Sequence, residues 1–459
     1  MILWYNIRVS KSLVTKKKET TMIERAEYLE KLKSKMWNGS VKIITGIRRC
    51  GKSYLLNELF RRDLIQSGVH EDHIISVALD LEEFEPLQNP RELSKFIRER
   101  IVDDGMYYVF IDEIQLARKV LKDGVDLSKL ADEDKPLAWF TFYDVLNSLN
   151  ARRNVDVYVT GSNSKMLSHD VATNFRGRKT EIEMHPLSFA EFHRWKNGDL
   201  ALDWDEYKTF GGMPQVVLEP DARDKTQLLH ELFNNVYLKD VVERHNIEDS
   251  SLLESIVNVV ASSVGSLTNP KRLADTIMSR EGSGPSAPTV RKYLGFLADA
   301  YVFREVKRYD VRGRKYLDHP MKYYAEDIGL RNAWLDFREQ EEPHLMENVL
   351  YNELRRLGYS VDVGVVEIWG AENGKKFVRP HEIDFVVNTG FEKVYLQSAF
   401  SIADPDYRAR EVLPLKKSGD SFRKIVVTSG VARPWTDADG IVYVGLLTFL
   451  LNPESVIGR

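Results

Sequence analysis

At 459 residues the chain is long enough for about three domains of ~150 residues each, and its generous charged content of 29% excludes a membrane-embedded chain. The net charge of −4 argues against nucleic-acid binding over the whole surface but leaves room for a local basic patch. A single cysteine, Cys50, excludes an intrachain disulfide framework, and no apolar run approaches the ~20 residues of a membrane span, so a cytoplasmic protein with no membrane partner is expected.

Met1–Thr21 holds a short apolar patch and then Lys16-Lys17-Lys18, without a long hydrophobic core or a small-residue cleavage site. It is a poor signal peptide. The codons before Met22 can carry a purine-rich ribosome-binding stretch, so Met22 is expected to be the natural start and 1–21 a leader.

Val41-Lys42-Ile43-Ile44-Thr45 is a β-branched run that reads as a buried strand. Gly46-Ile47-Arg48-Arg49-Cys50-Gly51-Lys52-Ser53 then spells G-x-x-x-x-G-K-[ST], and Tyr54 to Val69 continues with Leu56, Leu59, Phe60 and Leu64 at helical spacing. Strand, glycine turn and helix in that order aim backbone N–H groups and a helix N-terminus at one anion. Lys52 is expected to reach the β- and γ-phosphates and Ser53 to ligate Mg²⁺. The nucleotide contacts are assigned to Gly46, Arg48, Arg49, Cys50, Gly51, Lys52, Ser53 and Tyr54. Cys50 reads as a small side chain in a tight loop or, alternatively, as a reactive thiol.

Ile74 to Leu79 supplies a second strand, ending at Asp80. Met106 to Ile111 is a continuous apolar run that ends in Asp112-Glu113. A carboxylate at that strand end can hold Mg²⁺, the role assigned to Asp112, and Glu113 can take a proton from an attacking water. Leu121 to Pro136 reads as an exposed insertion, and Phe142, Val145, Leu146 and Leu149 restore a helix.

Val155 to Thr160 is a further strand, running into Gly161-Ser162-Asn163-Ser164. Ser162 or Asn163 can orient the lytic water at such a tip; a plain turn and helix cap is the alternative. Arg176 and Arg178 bracket Gly177 and suit a γ-phosphate contact, an arginine finger for a neighbouring subunit of a homo-oligomer, or solvated surface. Glu181 to Met184 closes the strand set. Pro186 halts it, and Ser188-Phe189-Ala190-Glu191 has the form of a capping box.

These features resemble the prokaryotic AAA-type P-loop ATPases that carry a C-terminal domain of unknown function. The shared signatures are Ile44 to Ser53, Ile111-Asp112-Glu113-Ile114-Gln115 and Thr160 to Ser164. Pro186 to Phe192, Gly211-Gly212-Met213-Pro214 and Tyr237-Leu238-Lys239-Asp240 follow in family order. The resemblance implies an α/β P-loop NTPase core with a parallel sheet, a helical lid, a winged-helix segment and a degenerate nuclease-like end. It also implies ATP over GTP, and a contact of Pro214 with adenine; a helix–helix turn is the other reading of that loop.

From Ser250 to Asp310 short helices, at Asn269 to Ala274 and Thr289 to Ala300, precede a β-wing made of Val302 to Val306 and Tyr316 to Tyr324. The second helix of such a unit is the usual DNA reader. Arg304, Lys307, Arg308, Arg312, Arg314 and Lys315 crowd the wing and can meet phosphates, unless the unit is a rigid inter-domain element. The final segment, with a helix from His344 to Leu357 and strands at Tyr359 to Val363, Val365 to Trp369, Glu382 to Val387 and Val394 to Ala399, resembles the PD-(D/E)XK nuclease core. Glu347 and Asp384 fit two of its places, but Gln397 stands for the acid and Ala399 for the lysine, so an inactive site is expected.

The expected domains are 22–190 (ATPase core), 191–248 (lid), 249–318 (winged helix) and 319–459 (nuclease-like). The expected function is Mg-dependent ATP binding and hydrolysis that switches C-terminal domains engaging DNA or an unidentified protein. An ATP-dependent nuclease and an ATP-liganded DNA-binding regulator are the alternatives.

Overall fold

The computed structural model describes residues 22–162, 179–338, 341–372, 375–430 and 433–458. Asn163, Arg176, Arg178 and the leader lie outside the described residues.

Helix α1 (Ala26–Lys33) precedes strand β1 (Val41–Thr45), and helix α2 (52–66) leaves the glycine loop with a π-type turn over Leu55–Phe60. Next come β2 (Ile74–Ala78), α3 (Pro90–Arg100) and β3 (Tyr107–Asp112). A two-stranded hairpin follows, β4 (Val120–Leu121) with β5 (Trp139–Phe140), and then α4 (Phe142–Asn150), β6 (Val155–Thr160) and β7 (Lys179–Glu183). The sheet order is β2-β3-β6-β1-β7, all parallel.

Every position of β1, β3 and β6 is buried, as expected where helices cover both faces. Ile44, Tyr108, Phe110 and Tyr158 pack to one side with Phe60, while Ile43, Val109, Ile111 and Val157 pack to the other with Val145 and Leu146. Each such side chain contributes roughly 1.5–3 kcal/mol by leaving water. The one charge inside β1, Lys42, is matched by Asp156 of β6, which also accepts from the Tyr158 hydroxyl at 2.7 Å.

The last strand of the sheet ends at Glu183, and after Pro186 the residue Ser188 opens helix α5 (Phe189–Lys196) as the sequence indicates. Glu191 N donates to Ser188 Oγ at 3.2 Å, and Ser188 N donates back to Glu191 Oε2 at 3.0 Å. Helices α6 (Leu200–Phe210), α7 (Pro214–Leu218) and α8 (222–245) complete this part. Three more helices follow, α9 (Ser250–Ser262), α10 (Pro270–Glu281) and α11 (Ala287–Asp299), capped by Asp249, Asn269 and Ser286. The antiparallel hairpin β8 (Phe303–Asp310) and β9 (Lys315–Ala325) comes next, so the three-helices-and-hairpin order is present.

That hairpin does not stand free. β8 runs parallel to β10 (Ser360–Glu372), so it forms the edge of an eight-stranded sheet. The order is β14-β15-β13-β12-β11-β10-β8-β9, with β11 (Lys375–Asn388), β12 (Lys393–Ala399), β13 (Arg423–Thr428), β14 (Trp435–Thr436) and β15 (Ile441–Gly445). The expected boundary at 318/319 therefore falls inside β9. Helices α12 (Ile328–Trp334), α13 (Glu342–Arg356), α14 (Pro405–Lys416), α15 (Leu446–Leu451) and α16 (Pro453–Ile457) pack around this sheet. The two strands read on either side of Gly364 are one strand with a bulge: a Cβ at Gly364 would lie 2.8 Å from Val386.

Candidate nucleotide site

The loop between β1 and α2 closes under backbone control. Gly46 has φ +137°, and a Cβ there would sit 2.0 Å from the Met184 carbonyl oxygen at the end of β7. Gly51, with φ +101°, turns the chain into α2. Both glycines occupy left-handed backbone that side chains avoid. Lys52 is 3% exposed, and its Nζ donates to the carbonyls of Gly46 and Ile47, each at 3.0 Å. No carboxylate pairs with it among the described residues. A buried ammonium without a counter-ion is costly, and a polyanion in the loop would relieve that cost.

Two strands away, β3 ends in the carboxylate pair. Asp112 is buried and accepts a hydrogen bond from the Thr160 hydroxyl at the end of β6. Glu113 N donates to the same hydroxyl oxygen at 3.0 Å. Glu113 itself adopts φ 51°, ψ 48°, a left-handed conformation that costs a branched-free residue about 1–3 kcal/mol. The turn aims its carboxylate into the cavity. Gln115 Nε2 donates both to Glu113 Oε2 and, at 3.1 Å, to Ser162 Oγ, while the Ser162 hydroxyl also reaches Glu113 Oε2 at 3.4 Å. Ser162 thus stands on the Glu113 carboxylate.

The cavity measures about 340 Å³, the size of a small-ligand site. Arg49, Cys50, Gly51, Lys52, Ser53, Tyr54, Glu113 and Pro214 line it, bringing together most of the residues assigned from sequence. The rest of the lining is apolar at Ile23, Met184, Leu187 and Leu218 and polar at Arg25 and Gln215. Asp112 and Ser53 suit Mg²⁺, which is commonly held by one or two protein oxygens plus phosphates. Among the described residues no cluster of three His, Cys, Asp or Glu forms a dedicated metal cage. Cys50 is fully buried, its Sγ 3.4 Å from the Met184 oxygen, and burial pushes its thiol up; this corrects the reactive-thiol alternative.

The loop arginines reach the helices beyond the sheet. Arg48 pairs with Asp240 at 3.4 Å, Arg49 reaches Gln215 at 3.4 Å, and the Tyr237 hydroxyl donates to the Arg48 carbonyl at 2.9 Å. Gly212 sits so tightly that a Cβ would lie 2.1 Å from the Leu187 oxygen, and Leu187 N donates to the Gly212 carbonyl at 2.8 Å. Pro214 opens α7 beside Gly51.

Arg25 escaped sequence reading. It is 2% exposed and donates to the Cys50 carbonyl (3.2 Å), the His185 carbonyl (2.8 Å) and Glu191 (2.9 Å). Its carboxylate partner lies 166 positions downstream, so no local pattern marks it. Asp327 was missed for the same reason: it accepts from Gly212 N at 2.7 Å across 115 positions.

The basic residues read as a phosphate-facing wing are partly spent inside the molecule, a correction to that expectation. Arg304 pairs with Glu326 at 2.6 Å and with Glu183, and Arg312 donates to the Lys417 carbonyl at 2.6 Å. Lys307, Arg314 and Lys315 remain exposed.

In the C-terminal sheet Glu347 and Asp384 do converge, but around a side chain that sequence reading overlooked, while Gln397 accepts from Asp384 N at 3.3 Å. Lys322 of β9 places Nζ 2.7 Å from Glu347 and 3.5 Å from Asp384, and it also contacts Glu382. Burial works against that charge, yet the three carboxylates outweigh it and hold the ammonium well above its ordinary range. Burial and the nearby Glu347 in turn push the Asp384 carboxyl well up. Gln397 donates to Glu411 at 2.9 Å.

A parallel sheet of this order, with the glycine loop at the end of β1, between β6 and β7, and a carboxylate pair at the end of β3, defines a P-loop nucleoside-triphosphatase fold. Residues 38–193 match an AAA domain, and residues 201–341 match a domain of unknown function, DUF8612. An uncharacterized protein of Haemophilus influenzae is 32% identical over 437 residues, 94% of this chain and 99% of its own length. The uncharacterized protein MJ1544 of Methanocaldococcus jannaschii is 26% identical, covering 90% of this chain and 88% of its own. The chain belongs to this family of AAA-type ATPases with a C-terminal domain of unknown function, and membership implies nucleotide binding. Among solved structures, the ORC1 protein of Aeropyrum pernix in complex with DNA is 12% identical with TM-score 0.27, over 69% of this chain and 93% of that one. Cdc6p of Pyrobaculum aerophilum is 12% identical with TM-score 0.28, over 72% and 96%. No helix among the described residues is long and apolar enough to cross a membrane.

Proposed function

We propose that the protein is a Mg-dependent ATPase whose nucleotide state is passed to its C-terminal domains. The observation that carries this reading is Lys52, an ammonium buried in the glycine loop without a carboxylate partner among the described residues, facing a cavity that also holds Ser53 and Glu113. Lys52 and the loop N–H groups bind the phosphates, and Ser53 and Asp112 hold the metal. Held by Ser53 and Asp112, Mg²⁺ would supply neutralisation of the charge that develops on the phosphates. Glu113 accepts the proton of the attacking water, with Ser162 and Gln115 fixing its carboxylate. Ile23, Leu187, Pro214 and Leu218 form an apolar bed for the base. Adenine is favoured over guanine by the match to the AAA domain family.

Turnover of ATP by the purified chain tests the reading. Lys52→Ala should abolish tight triphosphate binding, and Glu113→Gln should keep binding while losing about 10²-fold or more in kcat. A Glu113→Gln variant that hydrolyses ATP at the parent rate would remove Glu113 as the base. The nuclease alternative is disfavoured by Lys322, which supplies the cation at the carboxylates where a metal would be needed.

A further inference from the structure

We propose that the open groove between the starts of α10 and α11 is a docking surface for duplex DNA, with the exposed face of α11 entering the major groove. The proposal extends the switch reading by naming the partner, and it needs no ATP turnover.

The groove is lined by Lys271 at the start of α10, by Pro288, Arg291 and Lys292 on α11, and by His319 of β9. Every titratable group in that lining is a base; no carboxylate joins it. Arg291 contacts the His319 ring, Lys292 leans over the Phe296 ring at 5.6 Å, and neither they nor Lys271 are ion-paired among the described residues. In a chain of net charge −4 this is a local concentration of unneutralised cations. Two helix N-termini open beside them, adding partial positive charge.

The shape of α11 points the same way. Val290, Leu294 and Leu297 bury one side of the helix. Pro288, Arg291, Lys292 and Gly295 follow one another at i, i+3, i+4 and i+7 on the opposite side. Gly295 lies in the helix interior, where glycine costs stability relative to alanine. No packing contact among the described residues demands it: a Cβ at Gly295 would meet no atom within 4 Å. A bare backbone one helical turn beyond two cations leaves room for a closely approaching phosphate chain. The hairpin is not a free wing, because β8 is built into the C-terminal sheet and Arg304 and Arg312 are engaged internally, which leaves Lys307, Arg314 and Lys315 as its exposed cations.

B-form DNA suits the helix because its major groove is about 12 Å wide, enough for an α-helix, whereas the A-form groove of duplex RNA is too deep and narrow. An acidic protein partner would not need the glycine.

Binding of the full-length chain to a short labelled DNA duplex, measured by anisotropy without nucleotide, separates this proposal from the ATPase reading. The parent should bind with an affinity that falls steeply with salt. Arg291→Ala with Lys292→Ala should lower affinity at least about tenfold and flatten the salt slope by about 2, the loss of two phosphate contacts. Gly295→Gln should keep or raise the melting temperature while lowering affinity about tenfold, a separation a structural glycine would not give. Duplex RNA of the same sequence should bind more weakly. No binding by the parent, unchanged binding in either variant, or equal binding of RNA or of a polyglutamate competitor would overturn the proposal.

Discussion

The amide of Gln115 donates to two oxygens at once, Glu113 Oε2 and Ser162 Oγ, and its own Oε1 is buried without a partner. An unsatisfied buried acceptor costs about 1–3 kcal/mol, so the side chain is held there by something other than its own stability. We read it as a positioning residue for Glu113. Gln115→Ala should lower kcat about ten- to hundredfold with KM within about twofold, since a carboxylate displaced by ~1 Å from its water loses about that much. Gln115→Glu should do worse and shift the pH profile, because two facing carboxylates must share a proton. Steady-state kinetics across pH would show it, and a Gln115→Ala enzyme with parental kcat would end the assignment. At this scale the sequence was generous where chemistry is local: Lys52, Ser53, Asp112 and Glu113 declare themselves by strand ends and a glycine loop. Gln115 stood inside a quoted motif, but its role depends on Ser162, 47 positions away. Arg25 and Lys322 are ordinary-looking basic residues whose partners only the fold supplies.

Among the elements, helix and strand positions followed from periodicity with small shifts. Helix α13 begins two residues before His344 because Pro343 sits in its first turn, where a missing N–H costs nothing. What periodicity cannot show is which strand a hairpin will join, and β8 pairs with β10 through only Arg308, Tyr309 and Asp310. The segment after β9 carries the link back to the nucleotide site. Asp327 caps α12 through Leu330 N at 3.0 Å and also accepts from Gly212 N at 2.7 Å, beside the loop that carries Pro214. Burial pushes its carboxyl up to about 6, against the pull of the Gly212, Leu330 and Gly329 N–H groups. An unfolded aspartate ionises near 3.8. Between those values the folded chain keeps a proton that the unfolded chain has lost, so stability falls as pH rises from about 4 to about 6 and levels off above. The difference corresponds to about 3 kcal/mol at neutral pH. Asp327→Asn cannot titrate, so the parent's melting temperature relative to the variant should decline through that window. A gap that stays constant from pH 4 to 7 would show that Asp327 does not titrate as described.

Across the whole molecule, charged side chains join the two sheets. Glu183 and His185 at the end of β7 meet Arg304 of β8, Glu326 beyond β9 and Arg355 of α13, with His185 Nδ1 2.7 Å from Glu326 and Arg355 3.1 Å from Glu183. Met184, between the two, lines the nucleotide cavity. The nucleotide cavity and the C-terminal sheet therefore share one stretch of backbone. Lys322 completes that picture. Four residues before Glu326, it ties β9 to Glu347 of α13 and Asp384 of β11. If the ammonium has taken the cation's place, neither Mg²⁺ nor Mn²⁺ should produce nicking of plasmid DNA, with or without ATP. Installing the missing acid and lysine as Gln397→Glu with Ala399→Lys should not restore cleavage either, because Lys322 still neutralises the carboxylates a metal would need. Adding Lys322→Ala to that pair should open the site to Mn²⁺, measured as metal-dependent thermal stabilisation, since binding only to the folded state raises its stability. Metal-dependent nicking by the parent chain, lost in Asp384→Asn, would instead make the C-terminal domain a working nuclease and Lys322 part of its chemistry.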